Sequence, residues 1–370
     1  MKIAIHASEL DQDRIDGNRV YLLNLLKNFG QLDKENDFFL YHRNNFNPEL
    51  APPDFSNYKI KKLKKFPFWT QIIFPQKLSE DKPDILWMSI QAIPFFLPKL
   101  KSIVTIHDLA PKIFPEHFKF KDRFKLNLYL SLVIKKADKI IAISENTKKD
   151  ILKFYPKTDP QKIKVIHHGF DCALFDRERD FAREAEVKKQ FEIAGDYILY
   201  TGAIQPRKNL ITLVSAFELL KKEAYSGLKL VIAGKPAWKA EKTLNRIKNS
   251  PYRKDIIIAH GPKFDDLSHL YRGARVFVYP PFYEGFGIPI LEAMSAKIPV
   301  IAARNSSLTE IGKDCVIYFN ETDSLDLKNK IKSILDDAVM RQGLIEKAYA
   351  HSKNFSWEKC AAETLKYLKD

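Results

Sequence analysis

Short apolar runs, alternating or continuous, recur along the whole chain, and stretches with a three-to-four-residue apolar period fill the intervals. In the first half the strand-like runs are KIAIH, DFFLYH, DILWM, IVTIH, KIIAIS and KIKVIHH, while VYLLNLLKNF and NTKKDILKFY carry helical periodicity. This alternation predicts parallel sheets with crossover helices, because parallel neighbours need a connection long enough to recross the sheet. Around residues 172–194 the pattern dissolves into CALFDRERDFAREAEVKKQF, highly charged and without a strand, and a domain boundary is expected there. It restarts with YILYTG, LKLVIAG, DIIIAHG, RVFVYP, PVIAA and CVIYF, a second α/β sheet. The domains expected are 1–172 and 190–352, with 353–370 (FSWEKCAAETLKYLKD falls here) closing the chain as a helix that packs back on the first domain. Two such domains make a natural cleft, since ligands of these sheets sit beyond the carboxyl ends of the strands.

Composition narrows the class. A chain of 370 residues has room for two cores, and 45% hydrophobic with 29% charged residues excludes disordered and fibrous proteins. Cys172, Cys315 and Cys360 are odd in number, far apart and without CxxC spacing, which argues against a disulfide framework or a zinc site and fits a reducing compartment. MKIAIHASELDQD meets acids too early for a signal peptide and reads as a first strand. No apolar run approaches the roughly 18 residues that suggest a membrane span. The net charge of +15 is shared between the halves but concentrates locally. KIKKLKK has five lysines in seven residues, and residues 119–136 carry six basic residues against one acid. Such surfaces attract nucleic acid, anionic lipid or phosphorylated substrates. Acids accompany the bases throughout and no nucleic-acid-reading motif is recognisable, so nucleic acid is not an expected partner.

Four loops that follow strands or open helices carry unusual chemistry. In FYEGFGIPILEAM, Pro289 suits a helix start, and Gly285 and Gly287 would bare amides ahead of it for phosphate or sugar oxygens. Glu284 would lie in the loop and Glu292 about one turn into the helix. Either both carboxylates face one ligand, or Glu292 only complements the helix dipole and Glu284 is solvated. In YTGAIQPRKNL, Arg207 and Lys208 are read as standing where the next helix begins, against its dipole, which a bound anion would explain; two solvated charges on a turn is the other reading. In SIVTIHDLAPKIF, His107 ends a strand and is either a ligand-facing or a packed histidine. In DRIDGNRVYLLNLL, Gly17 opens the first helix but lacks a full GxGxxG.

Together these residues resemble glycosyltransferase family 4, retaining enzymes of the GT-B fold: two Rossmann-like domains facing each other across a cleft. EGFGIPILEAMSAKIPVIAARNSSLTEI resembles that family's signature, a Glu, seven residues and a second Glu, followed by a strand and a Ser/Thr-Glu turn, met by Glu284, Glu292, Ser307 and Glu310. The Gly17 loop, the IHD loop, ADKIIAISENTKKDI, KIKVIHHGFD and YTGAIQPRKNL resemble further family segments in the same order, so the likeness covers almost the whole chain. It implies that Arg207 and Lys208 neutralise the diphosphate of a nucleotide-sugar donor and that the amides of Gly285, Phe286, Gly287 and Ile288 hold its sugar and phosphate. It further implies that Glu284 contacts sugar hydroxyls, Glu292 the ribose, and His107 the donor sugar from the first domain. GPKFDDL resembles the base-binding segment, with Lys263 and Phe264 near the base. Two departures stand out: Ala203 where many members have arginine, and His167-His168-Gly169 where many have Pro-Asn-Gly.

The expected reaction moves a hexose to a glycan or lipid-linked glycan acceptor in cell-surface polysaccharide synthesis, with retention by same-face transfer. The PRKN variant resembles mannosyltransferases and favours GDP-mannose over UDP-sugars. No cofactor or metal is expected, and Asp11-Gln12-Asp13 reads as a solvated turn. In KIKKLKKFPFWTQIIFPQKL, Phe66, Phe68, Trp69 and Phe74 either form an interfacial segment for anionic membrane or belong to the core. Localisation is expected in the cytoplasm, with possible peripheral contact at the inner face of the cytoplasmic membrane. A sugar-nucleotide epimerase, a phosphorylase or an inactive sugar-nucleotide binder on the same fold are the competing readings.

Overall fold

Every strand-like run named above contains a strand. A computed structural model describes residues 1–13 and 15–370. Its first sheet contains β1 (Lys2–His6), β2 (Asp37–His42), β3 (Tyr58–Lys62), β4 (Ile85–Met88), β5 (Lys101–Ile106), β6 (Lys139–Ala142) and β7 (Ile163–Val165). The order is β3-β2-β1-β4-β5-β6-β7, with every neighbouring pair parallel. The second sheet contains β8 (Tyr197–Thr201), β9 (Lys229–Ala233), β10 (Ile256–Ala259), β11 (Val276–Tyr279), β12 (Val300–Ala303) and β13 (Ile317–Phe319). Its order is β10-β9-β8-β11-β12-β13, again wholly parallel. In each sheet the chain order reverses once, between β1 and β4 and between β8 and β11. A crevice opens at such a point because successive crossovers leave to opposite faces.

The chain divides into two units, Met1–Gly169 with Trp357–Asp370, and Phe170–Ser356. The helix Trp357–Lys369 lies along the helix Gly17–Leu32. Its Lys369 ammonium is 3.0 Å from Asp33, and its Tyr367 hydroxyl donates to the Lys162 carbonyl at 3.0 Å. In the first unit, Ala4, Leu86, Met88, Val104, Ile140 and their neighbours fill one core with the buried faces of the flanking helices.

One strand is absent from the sequence reading. β3 lies inside the lysine-rich stretch, whose Tyr-Lys-Ile-Lys-Lys alternation is that of a sheet edge protected by charge. Trp69 and Phe74, 1% and 0% exposed, join the core, whereas Phe66 and Phe68 are exposed at 45% and 77%. The core reading of this segment therefore holds for Trp69 and Phe74 and not for Phe66 and Phe68.

Asp11-Gln12-Asp13 is not simply a solvated turn. The Asp11 side chain is fully buried, and its Oδ2 accepts the backbone N–H groups of Arg43 and Asn44, both at 2.9 Å. Two amide hydrogen bonds to one oxygen, with His42 Nδ1 3.4 Å from Oδ1, offset part of the cost of burying this carboxylate. Asp13 is exposed.

Candidate functional site

The loops after β8 and β11 lie side by side at the switch point of the second sheet. Gly202 follows the last residue of β8, and its φ of +130° suits glycine. The chain then passes Ala203 and enters a short 3-10 turn, Pro206–Lys208. Asn209 follows in the left-handed region with φ +55°, and only then does the helix Leu210–Lys222 begin. Arg207 and Lys208 therefore precede the helix instead of occupying its first turn. Asn209 fixes this arrangement: its amide donates to the Pro280 and Glu321 carbonyls at 3.0 and 2.8 Å. Its Oδ1 accepts from the Thr212 hydroxyl at 2.8 Å.

The second loop is bound to the first. The Phe282 N–H donates to the Arg207 carbonyl at 2.9 Å. Glu284 Oε1 accepts from Arg207 Nη1 at 2.9 Å and from Lys208 Nζ at 2.6 Å. Lys208 Nζ also donates to the Tyr279 hydroxyl at 2.6 Å. Burial opposes the charge of Glu284, yet Arg207 and Lys208 together hold its carboxyl below the ordinary range. It is thus an anion that gathers two cations at one point. The loop backbone is held by serines: Ser306 Oγ accepts the Glu284 N–H at 3.0 Å, and Ser307 Oγ donates to the Glu284 and Phe286 carbonyls. Gly287, with φ +110°, caps the helix Ile288–Ser295, and Pro289 is its second residue. A Cβ on Gly287 would come within 2.8 Å of Leu308 Cδ2.

Glu292 lies on that helix, 8% exposed, and its Oε2 accepts from the Tyr271 hydroxyl at 2.8 Å. The same hydroxyl is 2.6 Å from Thr201 Oγ1, at the end of β8. Burial pushes the Glu292 carboxyl up to about 7, against the opposing hydrogen bond from Tyr271 and assisted by the charge of Asp171. Phe175 joins this side of the site to the next helix, its ring 5.5 Å from Tyr271 and 6.0 Å from Phe264. Phe264 opens the helix Phe264–Arg272 with half its surface exposed, and Lys263 caps it, also exposed.

The second unit thus brings together Arg207, Lys208, Glu284, Gly287 and Glu292, with Phe264 linked through Phe175 and Tyr271. Asn209, Tyr271, Thr201 and Ser306 escaped the sequence reading. Asn209 carried a usable signal, an asparagine directly before a helical period, where a left-handed residue is common. Tyr271 carried none, since it looks like any core residue of an amphipathic helix.

In the first unit His107, 6% exposed, follows β5, and its Nε2 lies 2.8 Å from the Ser89 carbonyl. A carbonyl only accepts, so Nε2 carries the proton. Burial lowers the imidazole pKa, which leaves a neutral ring with Nδ1 as acceptor. Its ring meets Tyr21 edge-on at 5.1 Å. Gly17 opens the helix Gly17–Leu32 after Asp16, whose side chain accepts the Arg19 N–H, and no atom of the described residues lies within 4 Å of a Cβ placed on it. Among the described residues no three His, Cys, Asp or Glu side chains converge as a metal centre.

Comparison with known proteins follows the same division of the chain. Residues 178–351 match the family model described as Glycosyl transferases group 1, and residues 15–174 that described as Glycosyltransferase Family 4. The O-antigen chain mannosyltransferase B of Escherichia coli is 30% identical over 281 residues, covering 74% of this chain and 72% of that protein. The O-antigen chain mannosyltransferase RfbU of Salmonella typhimurium is 28% identical, covering 66% of this chain and 65% of its own length. Among solved structures, Anabaena HepE in complex with UDP and glucose superposes with a TM-score of 0.78 at 16% identity, covering 100% of this chain and 99% of that one.

Proposed function

The chain belongs to the glycosyl transferases group 1, family 4 glycosyltransferases of the GT-B fold, and on that premise we propose that it moves a mannosyl residue from GDP-mannose to a growing cell-surface polysaccharide. The enzyme class follows from the family. The sugar and the polysaccharide are supported by the printed activities of the Escherichia coli and Salmonella relatives. The nucleotide-sugar form of the donor is supported by the UDP and glucose bound in the HepE neighbour.

The observation that carries this reading is the Arg207–Glu284–Lys208 cluster at the switch point of the second sheet. Two cations around one carboxylate leave a net positive charge in a partly water-excluded place, where a departing diphosphate is stabilised more strongly than in water. We assign leaving-group stabilisation to Arg207 and Lys208, so that no resident metal is required for that step. Glu284 positions the two cations and offers its remaining oxygen to sugar hydroxyls. Glu292 and the Tyr271 hydroxyl receive the ribose, the Gly285–Ile288 turn the sugar and phosphate, and Lys263 and Phe264 the base. His107, with Nε2–H committed to the Ser89 carbonyl, has Nδ1 to accept a sugar hydroxyl.

Retention follows from same-face transfer in this scheme. A double displacement needs a carboxylate close behind the anomeric carbon. Glu284 is the acid of this cluster, and two cations on its Oε1 draw charge from the whole carboxylate, which makes it a poor nucleophile. The departing phosphate then takes the acceptor proton.

The test is a transfer assay with purified protein, a panel of GDP- and UDP-sugars and a lipid-linked glycan acceptor, run with and without EDTA. GDP-mannose should give product whose anomeric configuration matches the donor, unaffected by EDTA. Lys208→Ala should lower kcat by about 100-fold or more while the fold persists. Turnover of a UDP-sugar alone would overturn the donor assignment, and near-normal kcat in Lys208→Ala the role of the cluster.

A further inference from the structure

The first sheet holds a second cationic feature, remote in sequence from the donor loops. β2 ends at His42 and β3 at Lys62, and the residues just beyond them wall an open pocket of about 620 Å³. Its charged lining consists of Arg43, Lys62, Lys64 and Lys65, with no carboxylate among them.

The pocket is built, not merely a place where lysines gather. Buried Asp11 clamps the turn after β2 through the amides of Arg43 and Asn44. Lys62 Nζ donates to Asn45 Oδ1 at 2.7 Å, which ties the two walls together. His42 Nδ1 is 2.7 Å from the Asn44 carbonyl, and its ring stacks on Phe46 at 4.0 Å. Within this turn Arg43 Nε is buried without a hydrogen-bond partner among the described residues. A guanidinium held in place with one nitrogen unsatisfied is costly, and an anion in the pocket that Arg43 lines would offset part of that cost through its charge. Arg43 also acts on the neighbouring strand end: after burial it is the main cause that lowers the His6 imidazole to about 4.

Edge protection explains part of this charge. Lys59 and Lys61 lie on β3, where lysines discourage pairing with another chain. Lys64 and Lys65 lie beyond the strand end, and the buried Arg43 Nε has no such purpose. The ligand chemistry is therefore that of a compact anion that accepts several hydrogen bonds.

The neighbouring surface narrows its source. Directly after Lys65 come exposed Phe66 and Phe68, then exposed Ile72. Gln71 Oε1 accepts the Phe95 N–H at 2.6 Å, which brings exposed Phe95 and Phe96 to the same surface. Lysines bordering exposed aromatics suit a group whose phosphate is attached to hydrocarbon.

We propose that this pocket, at the carboxyl ends of β2 and β3, binds the phosphate or diphosphate of a lipid-borne molecule, separately from the nucleotide-sugar donor. It rests on the donor reading only in that the donor diphosphate goes elsewhere, to Arg207 and Lys208.

Binding to the full-length protein tests it, with inorganic pyrophosphate, geranyl diphosphate and GDP as separate titrants. The variants are Arg43→Gln and the pair Lys64→Gln/Lys65→Gln. Geranyl diphosphate should bind wild type at least tenfold tighter than pyrophosphate, and both variants should weaken it about tenfold or more. GDP binding should be unchanged, which shows that the fold and donor site persist. Equal wild-type affinity for the two phosphate probes, lost in the variants, keeps the phosphate pocket but overturns its lipid source. Unchanged geranyl diphosphate affinity in the variants overturns the pocket, even if they lose flotation on anionic vesicles. Failure of GDP to bind wild type overturns the donor reading instead and leaves the phosphate arms to decide this one.

Discussion

Glu284 and Glu292 occupy one short stretch of sequence, but their environments push them in opposite directions. Glu284 is surrounded by Arg207 and Lys208 and remains ionised; Glu292 faces a tyrosine and a buried interior and holds its proton up to about pH 7. Glu284→Ala leaves two largely buried cations without their shared anion. It should lower unfolding free energy by about 3–5 kcal/mol, read by urea titration. The variant therefore loses stability along with activity, so lost turnover must be judged against its melting point. For Glu292 the sign is the reverse of the usual carboxylate. An unfolded glutamate ionises near 4.5, whereas the folded one binds its proton up to about 7. Between these values the folded state holds more protons, so this residue's contribution to stability falls as pH rises through that window. The full effect is about 3 kcal/mol. Without donor, Glu292→Gln should melt close to wild type near pH 4.5 and increasingly above it towards pH 8, with weakened GDP-sugar binding throughout. A difference in melting point independent of pH would contradict the assignment.

At the scale of elements, the donor loops stand where they do because β8 and β9 end in close contact. The Gly202 N–H donates to the Ala233 carbonyl, and a Cβ on Gly234 would lie 1.9 Å from the Gly202 carbonyl oxygen. That neighbour is backbone and cannot rotate away. Gly234→Ala must shift the turn that leads to Arg207, and a loss above about 3 kcal/mol or failure to fold is expected, checked by yield and circular dichroism. The strands themselves were legible from hydrophobic runs, because burial on both faces of a parallel sheet demands continuous apolar sequence. β3 was not, because an edge strand buries little and its lysines masked the alternation. The basic pair reads as a helix start only until Asn209, a residue type that tolerates the left-handed region, is taken as the position that holds the helix back to Leu210.

For the whole molecule, the net charge of +15 finds two uses in the scheme proposed: cations that meet the donor diphosphate and a basic, aromatic surface on the first unit. No described helix is long and apolar enough to cross a membrane. Phe68, Ile72, Phe96, Phe120 and Phe124 are nonetheless exposed among lysines, and Phe95 contacts Tyr129 of the helix Phe120–Lys136 at 6.4 Å between ring centroids. This surface should float the protein on anionic but not on neutral vesicles, and Phe68→Asp combined with Phe124→Asp should abolish flotation while donor binding persists. Flotation equal on both vesicle types would argue against an electrostatic membrane contact.

The sequence alone determined the α/β class, nearly all the strands, the family likeness and which loops carry chemistry, because these depend on periodicity and on residue types at short range. Only the tertiary structure decided what those residues do to one another. It tied Arg207 and Lys208 to Glu284 across more than seventy residues, set Tyr271 against Glu292, and buried Asp11 beneath the turn after β2. It also split the aromatics after β3 between core and surface. The ionisation of a carboxylate and the burial of a ring depend on neighbours brought together by the fold, and no local pattern encodes them.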